Sequence, residues 1–72
     1  MWQVKYKHGK NSYNSRSLQK CIDTAFTEVY KMGGMGGHDG VFLSKEKDGY
    51  SVDLYNVGYG HESQATIKQI KQ

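Results

Sequence analysis

The chain has no proline, a single cysteine, no acidic residue in its first 22 positions and no long apolar run. Each absence excludes something. Without proline there is no Pro-rich linker and no X-Pro isomerisation to slow folding. With Cys21 as the lone thiol no internal disulfide forms, which is the pattern of a reducing compartment, and a cytoplasmic location is expected. No stretch approaches the roughly 20 apolar residues of a membrane span. Mean hydropathy is −0.80, and Met1–Lys5 lacks the apolar core of a signal peptide, so no membrane partner is expected. A Ser-His-acid arrangement and paired carboxylates on a defined scaffold are also missing. A chain of 72 residues has a core too thin to build a dry, preorganised active site. The expectation is a non-enzyme without a cofactor.

Charge is distributed unevenly. Residues 1–22 carry Lys5, Lys7, Lys10, Arg16 and Lys20 and no acid; residues 23–53 carry six acids against three lysines; the whole chain has a formal charge of +3. The six tyrosines, two phenylalanines and one tryptophan argue for a folded domain, because disordered chains are poor in aromatics. One domain spanning 1–72 is expected.

Periodicity supplies the elements. Trp2, Val4 and Tyr6 alternate with Gln3, Lys5 and Lys7, which predicts a half-buried strand with a basic outer face. His8–Asn11 reads as a turn, and Ser12–Ser15 as a short second strand folding back on the first. Ser17 is a good helix N-cap. Leu18, Cys21, Ile22, Ala25, Phe26, Val29 and Tyr30 follow at the spacing of one helical face, predicting a helix over about 17–32. Lys31 suits the last turn, and Gly33 suits the position after it. The Gly-rich segment 33–40 reads as a flexible connection. Val41–Lys45 and Tyr50–Val57 read as a hairpin around Glu46-Lys47-Asp48-Gly49, with Asp-Gly taken as the turn pair. The tail from Glu62 to Gln72 fits a final strand or a short helix; β-branched Thr66-Ile67 favours the strand.

The fold expected is therefore a small two-layer α+β sandwich: one amphipathic helix on a mostly antiparallel sheet of three to five strands, in the order β(β)αββ(β). Trp2, Val4, Tyr6, Tyr50, Val52 and Leu54 would cover the helix. The far face would stay open and carry Gln3, Lys5, Lys7, Asp53 and Tyr55.

Two function classes follow. In the first, Lys5, Lys7, Lys10, Arg16 and Lys20 contact the phosphates of nucleic acid or another polyanion without reading sequence, and Tyr13 or Tyr55 stacks on unpaired bases. In the second, the chain is a protein-binding regulator or inhibitor of the accessory type found in viruses and mobile elements. It would act through Tyr55, Tyr59, a sheet edge and Met35 in the Gly-rich loop. A homodimer pairing open sheet edges is a further partner option. Gly37-His38-Asp39-Gly40 has the outline of the GXXG loop of KH domains, but it joins a helix to a strand rather than two helices. The pairs His38-Asp39 and His61-Glu62 have the chemistry to ligate a divalent ion, and the hairpin brings them to one end of the molecule. Their spacing matches no metal motif. Cys21, on the apolar helix face, reads as a small buried hydrophobe.

Overall fold

A computed structural model describes residues 1–8, 11–33, 40–56 and 60–70. The element order is β1 (Trp2–Tyr6), β2 (Tyr13–Ser15), α1 (Leu18–Gly33), β3 (Gly40–Glu46), β4 (Gly49–Asn56) and β5 (Gly60–Gln69). All pairings are antiparallel, and the five strands lie in the order β2-β1-β5-β4-β3. The helix packs on one face of this sheet, so the fold is the α+β two-layer class expected. The tail is a strand, and it fills the centre of the sheet between β1 and β4.

Helix α1 starts where its capping chemistry dictates. The Lys20 amide donates to Ser17 Oγ at 3.2 Å, which satisfies one of the free donors of the first turn. The Ser17 amide donates to Ser15 Oγ at 3.1 Å, tying the cap to the end of β2. Cys21, Ala25 and Val29 are fully buried, while Leu18, Ile22 and Phe26 are half-buried. Tyr30 departs from the expected stripe: it is 71% exposed. Side chains four apart drift by about 40° round a helix of 3.6 residues per turn. The row Ile22, Phe26, Tyr30 therefore rotates steadily away from the buried centre and leaves it in the last turn.

The core consists of Val4, Cys21, Ala25, Val29, Val52, Leu54, Ala65 and Ile67. Small and β-branched side chains fill the middle. The larger aromatics Trp2, Tyr6, Tyr13, Phe26 and Tyr50 form a half-buried rim, with Trp2 and Tyr50 rings 6.4 Å apart. A thin core gains most from such a rim, because each aromatic removes a large apolar area from water without needing full enclosure.

Two details of the β3–β4–β5 region position the open face. The hairpin loop is Lys47-Asp48, and Gly49 is already the first residue of β4, opposite Glu46. Gly60, at φ 75°, is the glycine with positive φ among the described residues, so Gly49 is not there for turn geometry. Its requirement is steric: a Cβ would lie 2.0 Å from the Ile67 carbonyl oxygen. The second detail is a bulge. Val52 pairs with Ala65 but Asp53 pairs with Ser63, leaving Gln64 unpaired in the ladder. A regular strand would put Ser63 on the Ala65 and Ile67 side; the bulge turns it to the opposite face.

Candidate functional site

The open face of the sheet divides into two halves of different character. Alternation and register place Asn14, Gln3 and Lys68 in one row across β2, β1 and β5, and Lys5, Thr66, Ser51 and Ser44 in the next row across β1, β5, β4 and β3. Lys68 lies diagonal to Lys5 on the neighbouring strand, a Cα spacing of about 7–8 Å. A concavity of about 230 Å³ opens here, lined by Gln3, Lys5, Thr66, Lys68, Gln69 and Ile70. Among the described residues no carboxylate lines it, and Lys5 and Lys68 give that lining a positive charge beside neutral donors and acceptors.

The β4–β3 half is organised around Asp53, which is 9% exposed. Ser44 Oγ donates to Asp53 Oδ2 at 3.1 Å. Ser51 Oγ donates to Oδ1 of the same carboxylate and lies 2.8 Å from Ser63 Oγ. Charge-assisted hydrogen bonds of this kind help hold a carboxylate within a sheet surface. The bulge at Gln64 is what delivers Ser63 to the network. Beside it, Phe42 and Tyr55 meet edge to face with centroids 5.9 Å apart.

The four N-terminal cations among the described residues, Lys5, Lys7, Arg16 and Lys20, do not form one surface. Lys5 is exposed on the open face. Lys7 lies past the end of β1, where its Nζ donates to Glu62 Oε1 at 2.8 Å. That hydrogen bond, with the Lys7 charge behind it, holds the Glu62 carboxyl below its usual value. Arg16 follows β2 and Lys20 sits in the first turn of α1; both are exposed, and Lys20 belongs to the layer opposite Lys5. Lys10 lies outside the described residues. Tyr13 pairs with Val4 and, half-buried, packs against the core on the helix side, the face opposite Lys5. Lys68, in contrast, joins Lys5 although the sequence did not single it out. Once the tail is a strand antiparallel to β1, alternation from buried Ile67 would have placed it on the open face.

Of the protein-interface candidates, Tyr55 is half-buried on the open face; Met35 and Tyr59 lie outside the described residues. Exposed apolar groups gather instead on the edge strand and the helix end: Phe42 at 44%, Leu43 at 39% and Tyr30 at 71% exposure. For metal ligation, Gly40 and His61 are both in register with Tyr55, at one end of the sheet. His38, Asp39 and the His61 side chain lie outside the described residues, and Glu62 is engaged by Lys7. Among the described residues no group of three or more His, Cys, Asp or Glu side chains gathers to hold a metal ion.

Cys21 is buried, and its Sγ lies 3.8 Å from the Trp2 carbonyl oxygen. Burial pushes its thiol pKa up, the opposite of what a nucleophile needs. Among the described residues no helix is long and apolar enough to cross a membrane. Comparison with known protein families, with curated proteins and with solved structures gives no match.

Proposed function

We propose that the protein is a non-catalytic binding module that engages the phosphate backbone of nucleic acid across the β2-β1-β5 half of its open sheet face. The observation that carries this reading is the concavity lined by Lys5 and Lys68 together with Gln3, Thr66 and Gln69, with no carboxylate among its described lining residues. The two ammonium groups on adjacent strands supply a cation for each of two phosphates, and the neighbouring amides and hydroxyl add neutral hydrogen bonds. Lysines grip phosphate as point charges and read no base, so binding is sequence-independent. Phe42 and Tyr55 on the same face supply a stacking edge for unpaired bases, a role first assigned to Tyr13 as well.

The test is polarisation of fluorescent single- and double-stranded DNA and RNA between about 50 and 200 mM salt. Two neutralised phosphates give a log–log salt slope of about −1.8 on duplex DNA and −1.4 on single strands, a fall of roughly tenfold over that range. Lys5→Glu with Lys68→Glu abolishes binding, whereas Lys20→Glu, on the helix layer, leaves it within about twofold. Absence of binding at the lowest salt, or binding indifferent to the Lys5 and Lys68 reversals, removes the reading.

A second reading, the protein-binding regulator, is favoured by the exposed apolar residues along β3. It predicts a partner whose affinity is insensitive to salt and is lost with Phe42→Ala.

A further inference from the structure

The sheet has two edges, and they differ. β2 is three residues long, too short to recruit another strand. β3 is seven residues long and has no neighbour on its outer side among the described residues. The two-residue loop Lys47-Asp48 makes Glu46 and Gly49 a hydrogen-bonded pair. Pair types then alternate back along the strand. Ser44–Ser51 and Phe42–Asp53 exchange main-chain hydrogen bonds within the hairpin. The N–H and C=O groups of Val41, Leu43 and Lys45 are turned to the free edge.

This edge lacks most of the usual protection. Natural sheets blunt their edges with charge, proline or shortness. Here Gly40-Val41-Phe42-Leu43-Ser44 carries no charge and no proline, and only Lys45 and Glu46 guard the far end. Apolar groups flank the edge on both sides. On the helix side, Val41 and Leu43 are in register with the core residues Leu54 and Val52. Beside them a concavity of about 510 Å³ is lined by Phe26, Thr27, Tyr30, Lys31 and Val41. The cation on its rim, Lys31, is 3.8 Å from Glu28. On the open side stands Phe42.

We infer that the occupant of this edge is a second copy of the chain, paired antiparallel β3 to β3 about a two-fold axis at Phe42. Charge selects the register. An axis at Lys45 sets two ammonium groups opposite each other. An axis at Ser44 sets Phe42 against Glu46 and Leu43 against Lys45, and an axis at Leu43 sets Val41 against Lys45. With the axis at Phe42, every pair is uncharged: Phe42 with Phe42, Val41 with Leu43 twice, and Gly40 with Ser44 twice. Val41 and Leu43 are the residues whose main-chain groups face outward, so this register makes two fully hydrogen-bonded pairs. It also lays each Leu43 beside the other copy's Val41, over the concavity bounded by Phe26 and Tyr30. The two five-stranded sheets become one, with both helices on one side and both Lys5–Lys68 clusters on the other. The inference stands whether or not those clusters bind nucleic acid.

Five paired residues a side bury less than the roughly 1,200 Å² of a stable interface, so the dimer is a weak, concentration-dependent one. Sedimentation equilibrium from about 5 µM to 1 mM shows a monomer–dimer transition, and Leu43→Glu abolishes it while leaving the circular dichroism spectrum and melting unchanged. Amide exchange on the unmodified protein shows Val41 and Leu43 becoming protected as concentration rises. Under mild oxidation Phe42→Cys forms a disulfide-linked dimer, because residue 42 faces its own copy in a closely spaced pair. Ser44→Cys, opposite Gly40, does not, and buried Cys21 stays out of the reaction. A folded monomer at every concentration, with fast exchange at Val41 and Leu43, overturns the dimer. Equal cross-linking through positions 42 and 44 overturns the register.

Discussion

Replacing Gly49 by alanine places a methyl carbon 2.0 Å from the Ile67 carbonyl oxygen, 3.1 Å from the Ile67 carbonyl carbon and 3.2 Å from the Lys68 Cα, whereas ordinary contact begins near 3.4 Å. The three nearest atoms all belong to the main chain of β5, which is held by β4 on one side and β1 on the other. No side chain can rotate out of the way, so the strands must part by more than about 1 Å at the start of β4. Overpacking against movable side chains costs about 1–3 kcal/mol; against a fixed backbone the upper end applies. Loss of glycine freedom in the unfolded chain offsets about 0.4–1 kcal/mol of this. The net expectation is a loss of about 2–2.6 kcal/mol, against a total of about 4–11 kcal/mol for a domain of this size. In urea, with a slope of about 1 kcal/mol/M, the midpoint falls by about 2–2.6 M. Gly60→Ala is the control. Gly60 is at φ 75° with nothing near its absent Cβ, so it bears only the left-handed backbone cost of about 1 kcal/mol. If Gly49→Ala unfolds within about 0.5 M of the parent, or costs no more than Gly60→Ala, the close approach of β4 to Ile67 is wrong.

Three further outcomes follow from the side chains. Tyr6 Oη is buried and has no hydrogen-bond partner among the described residues, and burial, with Glu28 nearby, pushes its pKa up; Tyr6→Phe therefore raises stability by about 1 kcal/mol, read as a melting temperature about 4–8 °C higher. Asp53→Ala leaves the Ser44 and Ser51 hydroxyls without their acceptor and lowers stability by about 2 kcal/mol, while Asp53→Asn, which keeps one acceptor oxygen, loses less; denaturant midpoints rank the two. Glu62 titrates below the ordinary glutamate value because Lys7 binds its charged form. Its contribution is therefore present above that pH and is lost as the pH falls through the lower folded value. Glu62→Gln flattens stability against pH in that acid window and nowhere else, which pH-stepped thermal melts resolve.

The local elements were legible because each had its own signal: alternation in β1, the Ser17 cap and the seven-residue stripe of α1, and the turn residues between β3 and β4. What local signals could not carry was the order of strands. Nothing in Gly60–Gln69 announces that this strand enters the middle of the sheet, since Gln64, Lys68 and Gln69 read as surface residues. Its centrality rests on Ala65 and Ile67 alone. The bulge at Gln64 was equally silent, and with it the placement of Ser63 beside Ser51. The candidate site suffered from the same gap. Lys5, Lys7, Arg16 and Lys20 are close in sequence, but the chain passes from one layer to the other between Ser15 and Leu18, so neighbours in sequence part company in space. Lys68, far away in the chain, becomes the neighbour of Lys5 through β1–β5 pairing. The face of Tyr13 was not legible because a single aromatic in a short strand gives no phase; its register with Val4 supplies it.

The place of β5 also governs how the molecule must assemble. β1 and β2 form one local hairpin, β3 and β4 form another, and the two hairpins share no strand pairing except through β5. Each half can form early from contacts within a few tens of residues, but neither half completes a sheet. β5 follows β4 directly in the ladder, with Asn56 opposite Gly60, so β3, β4 and β5 can form one antiparallel meander from local contacts, and the long-range step is the pairing of its β5 edge with β1 across about sixty residues. Closing so long a loop is slow relative to helix and hairpin formation, which makes the β1–β5 ladder the expected late event of folding.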